Sequence, residues 1–215
     1  MNNIISRGAF IVLEGCDRVG KSTLTRFLVE NLRNNGMKVE SLHFPNRKTK
    51  TGILIDKYLK CEEELDDHAI HLLFSANRWE SVSEMCNLIN TGTTLIVDRY
   101  AYSGVAYSAS KKGLDVNWCK QPEIGLPSPD LVIFLDILPH KVFKRCEFGK
   151  ERYEKLELQI KARENFLSLK EDNWKIVDAD IPLSELQNIV KECVEEVLRK
   201  NLGHLKKLWM DPVNK

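Results

Sequence analysis

One loop constrains this chain more than any other stretch: Gly15-Cys16-Asp17-Arg18-Val19-Gly20-Lys21-Ser22. Its spacing, G-x-x-x-x-G-K-[ST], turns backbone N–H groups inward around phosphate oxygens, brings a lysine to the β- and γ-phosphates, and offers a hydroxyl to Mg²⁺. The glycines keep a Cβ out of the phosphate's way. The motif demands a strand before it and a helix after it, and both are legible. Ala9-Phe10-Ile11-Val12-Leu13 is an apolar run with the character of a buried strand. Leu24, Phe27, Leu28 and Leu32 then recur at helical spacing, and Asn34-Asn35-Gly36 stops the helix. The helix points its positive end at the same phosphates.

Charge excludes one class of partner. Lys+Arg number 32 and Asp+Glu 31, a net charge of +1, so no basic excess marks a nucleic-acid surface. No apolar stretch has the ~20 residues of a membrane helix, and the polar start Met1-Asn2-Asn3-Ile4-Ile5-Ser6-Arg7 is no secretory signal. The six cysteines are dispersed with no C-x-x-C pair, which predicts reduced thiols and a cytoplasmic location, with nuclear or mitochondrial pools left open. Cys86 and Cys193 are expected as small core residues. His68 and His71 have a spacing that two metal ligands could use, but no further Cys or His lies nearby.

The rest of the chain alternates strands with helices, which implies an α/β fold: a parallel sheet of about five strands with helices on both faces. Val39 to His43 is the second strand, stopped at Phe44-Pro45-Asn46-Arg47. Thr51 to Lys60 is expected as a short helix, and Asp66-Asp67 caps a long one running to about Asn90. Thr93 to Asp98, Leu131 to Asp136 and Trp174 to Asp178 are further strands, and Leu183, Leu186, Val190, Cys193 and Val197 form the core stripe of a last helix. With right-handed crossovers the strand ends bearing Glu14, Phe44, Asp98 and Asp136 face one crevice. The whole chain, 1–215, reads as a single phosphate-loop (P-loop) domain.

A second constellation closes the third strand. In a chain with a phosphate loop, Asp98 is the expected organiser of Mg²⁺ together with Ser22, and Arg99 beside it supplies a phosphate fork. Arg47 follows the second strand where ligands of open α/β sheets gather, and Arg18 can reach a γ-phosphate. The charged, glycine-containing stretch at about 146–153 is expected as a mobile lid that excludes water.

Several blocks together resemble the thymidylate kinases, the eukaryotic branch above all. They are the phosphate loop with Glu14, then Phe44-Pro45-Asn46-Arg47, Asn77-Arg78-Trp79-Glu80, the run from Asp98-Arg99-Tyr100 to Tyr107, and Gly125-Leu126-Pro127-Ser128-Pro129-Asp130. The resemblance runs in register from about Gly8 to Asp178; after Tyr153 it thins, keeping Gln159. It implies a nucleoside monophosphate kinase fold with a small lid, and transfer of the γ-phosphate of ATP to dTMP with Mg²⁺ as cofactor, in dTTP biosynthesis. It implies that Gly15, Asp17, Arg18, Val19, Gly20, Lys21, Ser22 and Thr23 bind ATP, with Arg145 near the adenine. Phe74 would stack on thymine, Arg78 would bond the base O4, and Arg47 and Arg99 would clamp the monophosphate, with Phe44 also lining the acceptor site. Asp17 would hold the 3′-hydroxyl, Tyr107 would occupy the space of a 2′-hydroxyl, and Tyr153 would lie beside the sugar. Lys21, Arg18, Arg99 and Asp98 would be the catalytic set. It also implies a cis Phe44–Pro45 bond and a homodimer built on helix faces. A deoxynucleoside kinase is the alternative enzyme, disfavoured by two arginines on the acceptor side; a catalytically inactive P-loop relative is opposed by intact Lys21, Ser22, Asp98 and Arg99. A GTP switch would need Asn-Lys-x-Asp, which the chain lacks.

Overall fold

The computed structural model describes residues 7–143, 149 and 151–210. Its strands are β1 (Phe10–Glu14), β2 (Val39–His43), β3 (Thr94–Asp98), β4 (Leu131–Asp136) and β5 (Trp174–Asp178). They pair in parallel in the order β2-β3-β1-β4-β5. The central strands are apolar almost throughout because helices cover both faces. Their side chains divide with period two. Phe10, Val12, Leu95, Val97, Val132 and Phe134 join one core cluster; Ile11, Leu13, Ile96, Leu131, Ile133 and Leu135 join the other. Each such fully buried side chain contributes about 1.5–3 kcal/mol.

The second cluster is completed by α1 (Lys21–Asn34) and α9 (Leu183–Leu198). In α9 the buried stripe is Leu186, Val190, Val194 and Val197. Leu183, expected in that stripe, is exposed, and Cys193 is half-buried, because Val194 takes the inward position. The first cluster draws on α2 (Lys50–Leu59), α3 (Asp67–Trp79), α4 (Val82–Asn90), α5 (Ala101–Ser108), α6 (Val116–Lys120) and α8 (Leu156–Ser168); α7 (Pro139–Phe143) adds Val142 to the second. The long helix expected to Asn90 is two helices. Ser81 N–H donates to Arg78 O at 3.0 Å, a tightened closing turn, and α4 starts afresh. The pattern does not betray this break: Phe74 and Met85 are three helical turns apart, so their phase is kept.

Asp66 caps α3 through the His68 and Ala69 amides. His71 is buried between Ser108 Oγ (2.8 Å) and Cys119 O (2.9 Å), a core histidine that burial and the nearby Arg78 charge hold down at about 4. Cys86, expected in the core, is half-buried, whereas Cys16 and Cys119 are buried. Among the described residues no helix is long and apolar enough to cross a membrane.

Candidate active site

Sheet order alone locates the crevice. β1 has β3 on one side and β4 on the other, so the chain reverses direction of winding beside β1, and the loop that leaves β1 sits at that switch point. Gly15 (φ 145°) cannot carry a Cβ, which would lie 2.7 Å from Leu135 O. Gly20 has open space around it, but its φ of 96° favours glycine and starts α1. Lys21 Nζ is buried and donates to Gly15 O (3.1 Å) and Cys16 O (2.5 Å). Burial, and then the Arg99 charge, lower it to about 8.

Glu14 ends β1 fully buried, and its role was not apparent in the sequence. Its Oε1 accepts from Tyr100 N (2.8 Å) and Ser103 N (3.1 Å), and its Oε2 from Ser103 Oγ (2.6 Å). It therefore caps α5, whose own N-cap side chain, Tyr100, makes no capping bond and donates instead to Pro127 O (3.1 Å). Burial pushes its pKa up, and the Ser103 bond and Arg99 oppose this. This clamp fixes the turn at Arg99, which has a left-handed φ of 67°. Arg99 then donates from Nη1 to Gly15 O (3.2 Å) and Ser103 Oγ (3.2 Å), and from Nη2 to the Asp17 carboxylate. Burial alone would raise Asp17; Arg99 and Lys21 hold it below the usual carboxylate range.

Asp98 and Ser22 meet, with Ser22 Oγ donating to Asp98 Oδ2 at 2.6 Å. Asp98 Oδ1 is buried and has no hydrogen-bond partner. Burial would raise this carboxyl, but His43, Lys21, Arg99 and Ser22 keep it ionised well below the ordinary range. An ionised, buried, unpartnered carboxylate oxygen beside a hydroxyl suits a hard divalent cation. Mg²⁺ takes few protein ligands and completes its shell with phosphate and water, so this sparse donor set fits it. Arg18, Gly20, Lys21, Ser22, Thr23, Asp98 and Arg99 line one shallow depression, while Val19 is buried against the loop.

Arg99 opens at the same time onto a second, more enclosed cavity. Asp17, Phe44, Arg47, Phe74, Arg78, Arg99, Tyr107 and Tyr153 all line it, so the structure brings together every side chain assigned to the acceptor. The Phe44–Pro45 bond is cis. Tyr107 stacks on Tyr153 with centroids 5.5 Å apart, and its hydroxyl donates to Gln159 Oε1 (3.2 Å). Gln159 also accepts from Asp17 N (3.0 Å) and donates to Asp17 Oδ2 (2.5 Å) and Tyr153 O (2.9 Å). It ties the phosphate loop to the sugar side. Sequence reasoning noted Gln159 without a role; burial of a glutamine on a helix is visible only once α8 is packed.

Acids that went unassigned in the sequence face the site's cations. Arg47 Nη1 donates to Asp56 Oδ1 (2.6 Å) and Glu151 Oε1 (2.8 Å), and Nη2 to Glu151 Oε2 (3.1 Å). Arg18 pairs with Glu154 Oε1 through Nε (3.0 Å) and Nη2 (2.8 Å). Arg78 is buried and paired with Glu123. Arg145 lies outside the described residues, as do 146–148 and 150 of the expected lid. Its described end is anchored, not free. Arg152 N donates to Leu59 O (2.8 Å), its guanidinium reaches Tyr58 O (2.8 Å) and Glu64 Oε1 (2.7 Å), and it lies over the Tyr58 ring.

The sequence model described as Thymidylate kinase matches residues 13–190. A thymidylate kinase of Arabidopsis thaliana is 48% identical over 199 residues, covering 93% of this chain and 75% of its own length. One of Homo sapiens is 46% identical over 206 residues, covering 93% and 97%. The solved structure of thymidylate kinase from Candida albicans superposes with a TM-score of 0.84 at 34% identity, over 94% of this chain and 98% of the other. With a matched phosphate loop, a parallel five-stranded sheet wound about it and relatives this similar along nearly the whole length, the chain belongs to the thymidylate kinase family.

Proposed function

We propose that the chain transfers the γ-phosphate of ATP to dTMP, giving dTDP and ADP, with the phosphate loop holding the donor and the enclosed cavity the acceptor. One observation carries the reading: an anion-binding loop and an aromatic, arginine-bearing cavity share Arg99 and Asp17, so donor and acceptor phosphates would meet there. A dTMP phosphate oxygen attacks the γ-phosphorus in line, the bond to the β,γ-bridging oxygen breaks, and ADP leaves. The protein's task is positioning and neutralisation of spread charge. Lys21, Arg18 and Arg99 supply cations; Arg47 and Arg99 hold the acceptor phosphate, and Phe74 the base. Ser22 and Asp98 would hold Mg²⁺, which when bound adds charge neutralisation at the phosphates. The Tyr107–Tyr153 stack narrows the sugar side and favours a deoxyribose.

A homodimer is supported by apolar side chains left exposed on adjacent helices, Ile53 and Leu54 on α2 with Leu72 and Trp79 on α3; light scattering on the purified protein tests it. A cytoplasmic setting is supported by the free cysteines among the described residues. The deciding assay measures ADP release with ATP, Mg²⁺ and each deoxynucleoside monophosphate in turn. Arg78 can only donate, so acceptors with a 4-oxo group are favoured. The expected order by kcat/KM is dTMP, then dUMP lower by ~10–200-fold for one methyl, with dCMP far behind. Thymidine phosphorylated faster than dTMP would instead make the chain a deoxynucleoside kinase.

A further inference from the structure

We propose that Glu123 is a positioning residue for base selection, acting through Arg78; this rests on the reading of the cavity as a thymine site. Glu123 lies in a single 3₁₀ turn, Gln121–Glu123, and is fully buried. Its carboxylate accepts from Arg78 Nε at 2.8 Å and from Nη2, a planar two-point pairing. Nη1 is then the guanidinium nitrogen without a protein acceptor among the described residues, in a side chain that lines the cavity. The guanidinium is also confined by Gly104 of α5, where a Cβ would lie 3.1 Å from Arg78 Cζ and closer still to Nη2.

The acid's own placement is fixed independently of any ligand. None of Gln121, Pro122 and Glu123 lines the cavity. Pro122 O instead accepts from Ser75 Oγ (2.9 Å) and Trp79 Nε1 (2.8 Å), residues flanking Arg78 on α3. The 3₁₀ turn is thus locked onto the helix that carries Arg78. Rotation of the guanidinium would break two charge-assisted bonds, so its remaining donors stay where they are. A base presenting an acceptor at that point gains a bond, and a base presenting an amino group meets a donor that cannot turn away. Discrimination is therefore a property of the pair, not of Arg78 alone.

In Glu123→Gln the amide oxygen replaces one acceptor while its NH₂ opposes a guanidinium N–H, so the two-point hold is lost. The expected result is a KM for dTMP raised ~10-fold or more with kcat within about threefold, the base being remote from the reacting phosphate. The ratio of kcat/KM for dTMP over dCMP should fall by at least ~10-fold. Added to Arg78→Ala, the same change should move that ratio by less than about twofold, since nothing remains to orient. Thermal melts by circular dichroism establish which variants fold. If Glu123→Gln does not, Glu123→Asp, which keeps the charge but withdraws it by one methylene, is read in its place. A folded variant that keeps the wild-type ratio overturns the proposal, as does a further fall of the ratio in the Arg78→Ala background. Wild-type protein inert toward dTMP would overturn the thymidylate reading itself, before any variant is compared.

Discussion

Lys21 is a cation held by carbonyls. Its bonds to Gly15 O and Cys16 O leave the charge available to a phosphate, and burial lowers it to about 8 from 10.5. The sign of the consequence is definite. In the free enzyme kcat/KM for ATP should fall as pH rises through about 8, because the folded protein sheds this proton there. Stability moves the other way: below 8 the buried charge opposes folding, and from 8 toward 10.5 that opposition fades. A rate that declines above pH 8 while the melting temperature falls in parallel would argue against Lys21 as the titrating group. Lys21→Ala should lose ~10²–10³ in kcat and keep the fold, as judged by circular dichroism, since it removes one charge contact to the reacting phosphates. Arg18 sits at φ 61°, a conformation glycine adopts without strain, so Arg18→Gly should also fold. It should lower the single-turnover rate by ~10-fold or more while calorimetric dTMP affinity changes little, because the lost contact is to the transferring group.

The elements best read from sequence were continuous apolar runs of strand length and helices with one apolar face. β1, β3 and β4 were legible as unbroken apolar runs, and α1 by its helical stripe. α5 was not, since all its residues from Ala101 to Ser108 are buried and no polar face marks a helical repeat. For the same reason Glu14 read as a mere strand end, although it caps α5. Of the site, residues in motifs with fixed spacing were legible, and their partners Glu123, Glu151, Glu154 and Gln159 were not, because tertiary packing alone decides which acid meets which arginine. Gly52 in the first turn of α2 belongs to this hidden class. A Cβ there would lie 2.8 Å from the Asn46 carbonyl carbon and 2.9 Å from Arg47 Cα. Gly52→Ala should therefore destabilise by ~1–3 kcal/mol in chemical denaturation. It should also raise KM for dTMP, since the displaced backbone carries Arg47; an unchanged KM in the destabilised variant would separate Arg47 from the acceptor site.

At the scale of the molecule, the sheet order puts the phosphate loop at the switch point and lets one crevice serve two ligands. The near balance of 32 cationic and 31 acidic residues is repeated inside that crevice. Arg18 faces Glu154, Arg47 faces Asp56 and Glu151, and Arg99 faces Asp17. Each arginine thus carries its own counter-anion, and a phosphate arriving at the site takes part in an exchange of anions, not a capture by naked charge. Seen from a distance, such a crevice is close to neutral and projects little field into solution. Nucleotide association should then be only weakly steered: between about 50 and 200 mM salt the on-rate for dTMP, followed by stopped-flow fluorescence, should change less than about threefold. A steep salt slope would mean that the carboxylates swing clear of their arginines before the nucleotide arrives.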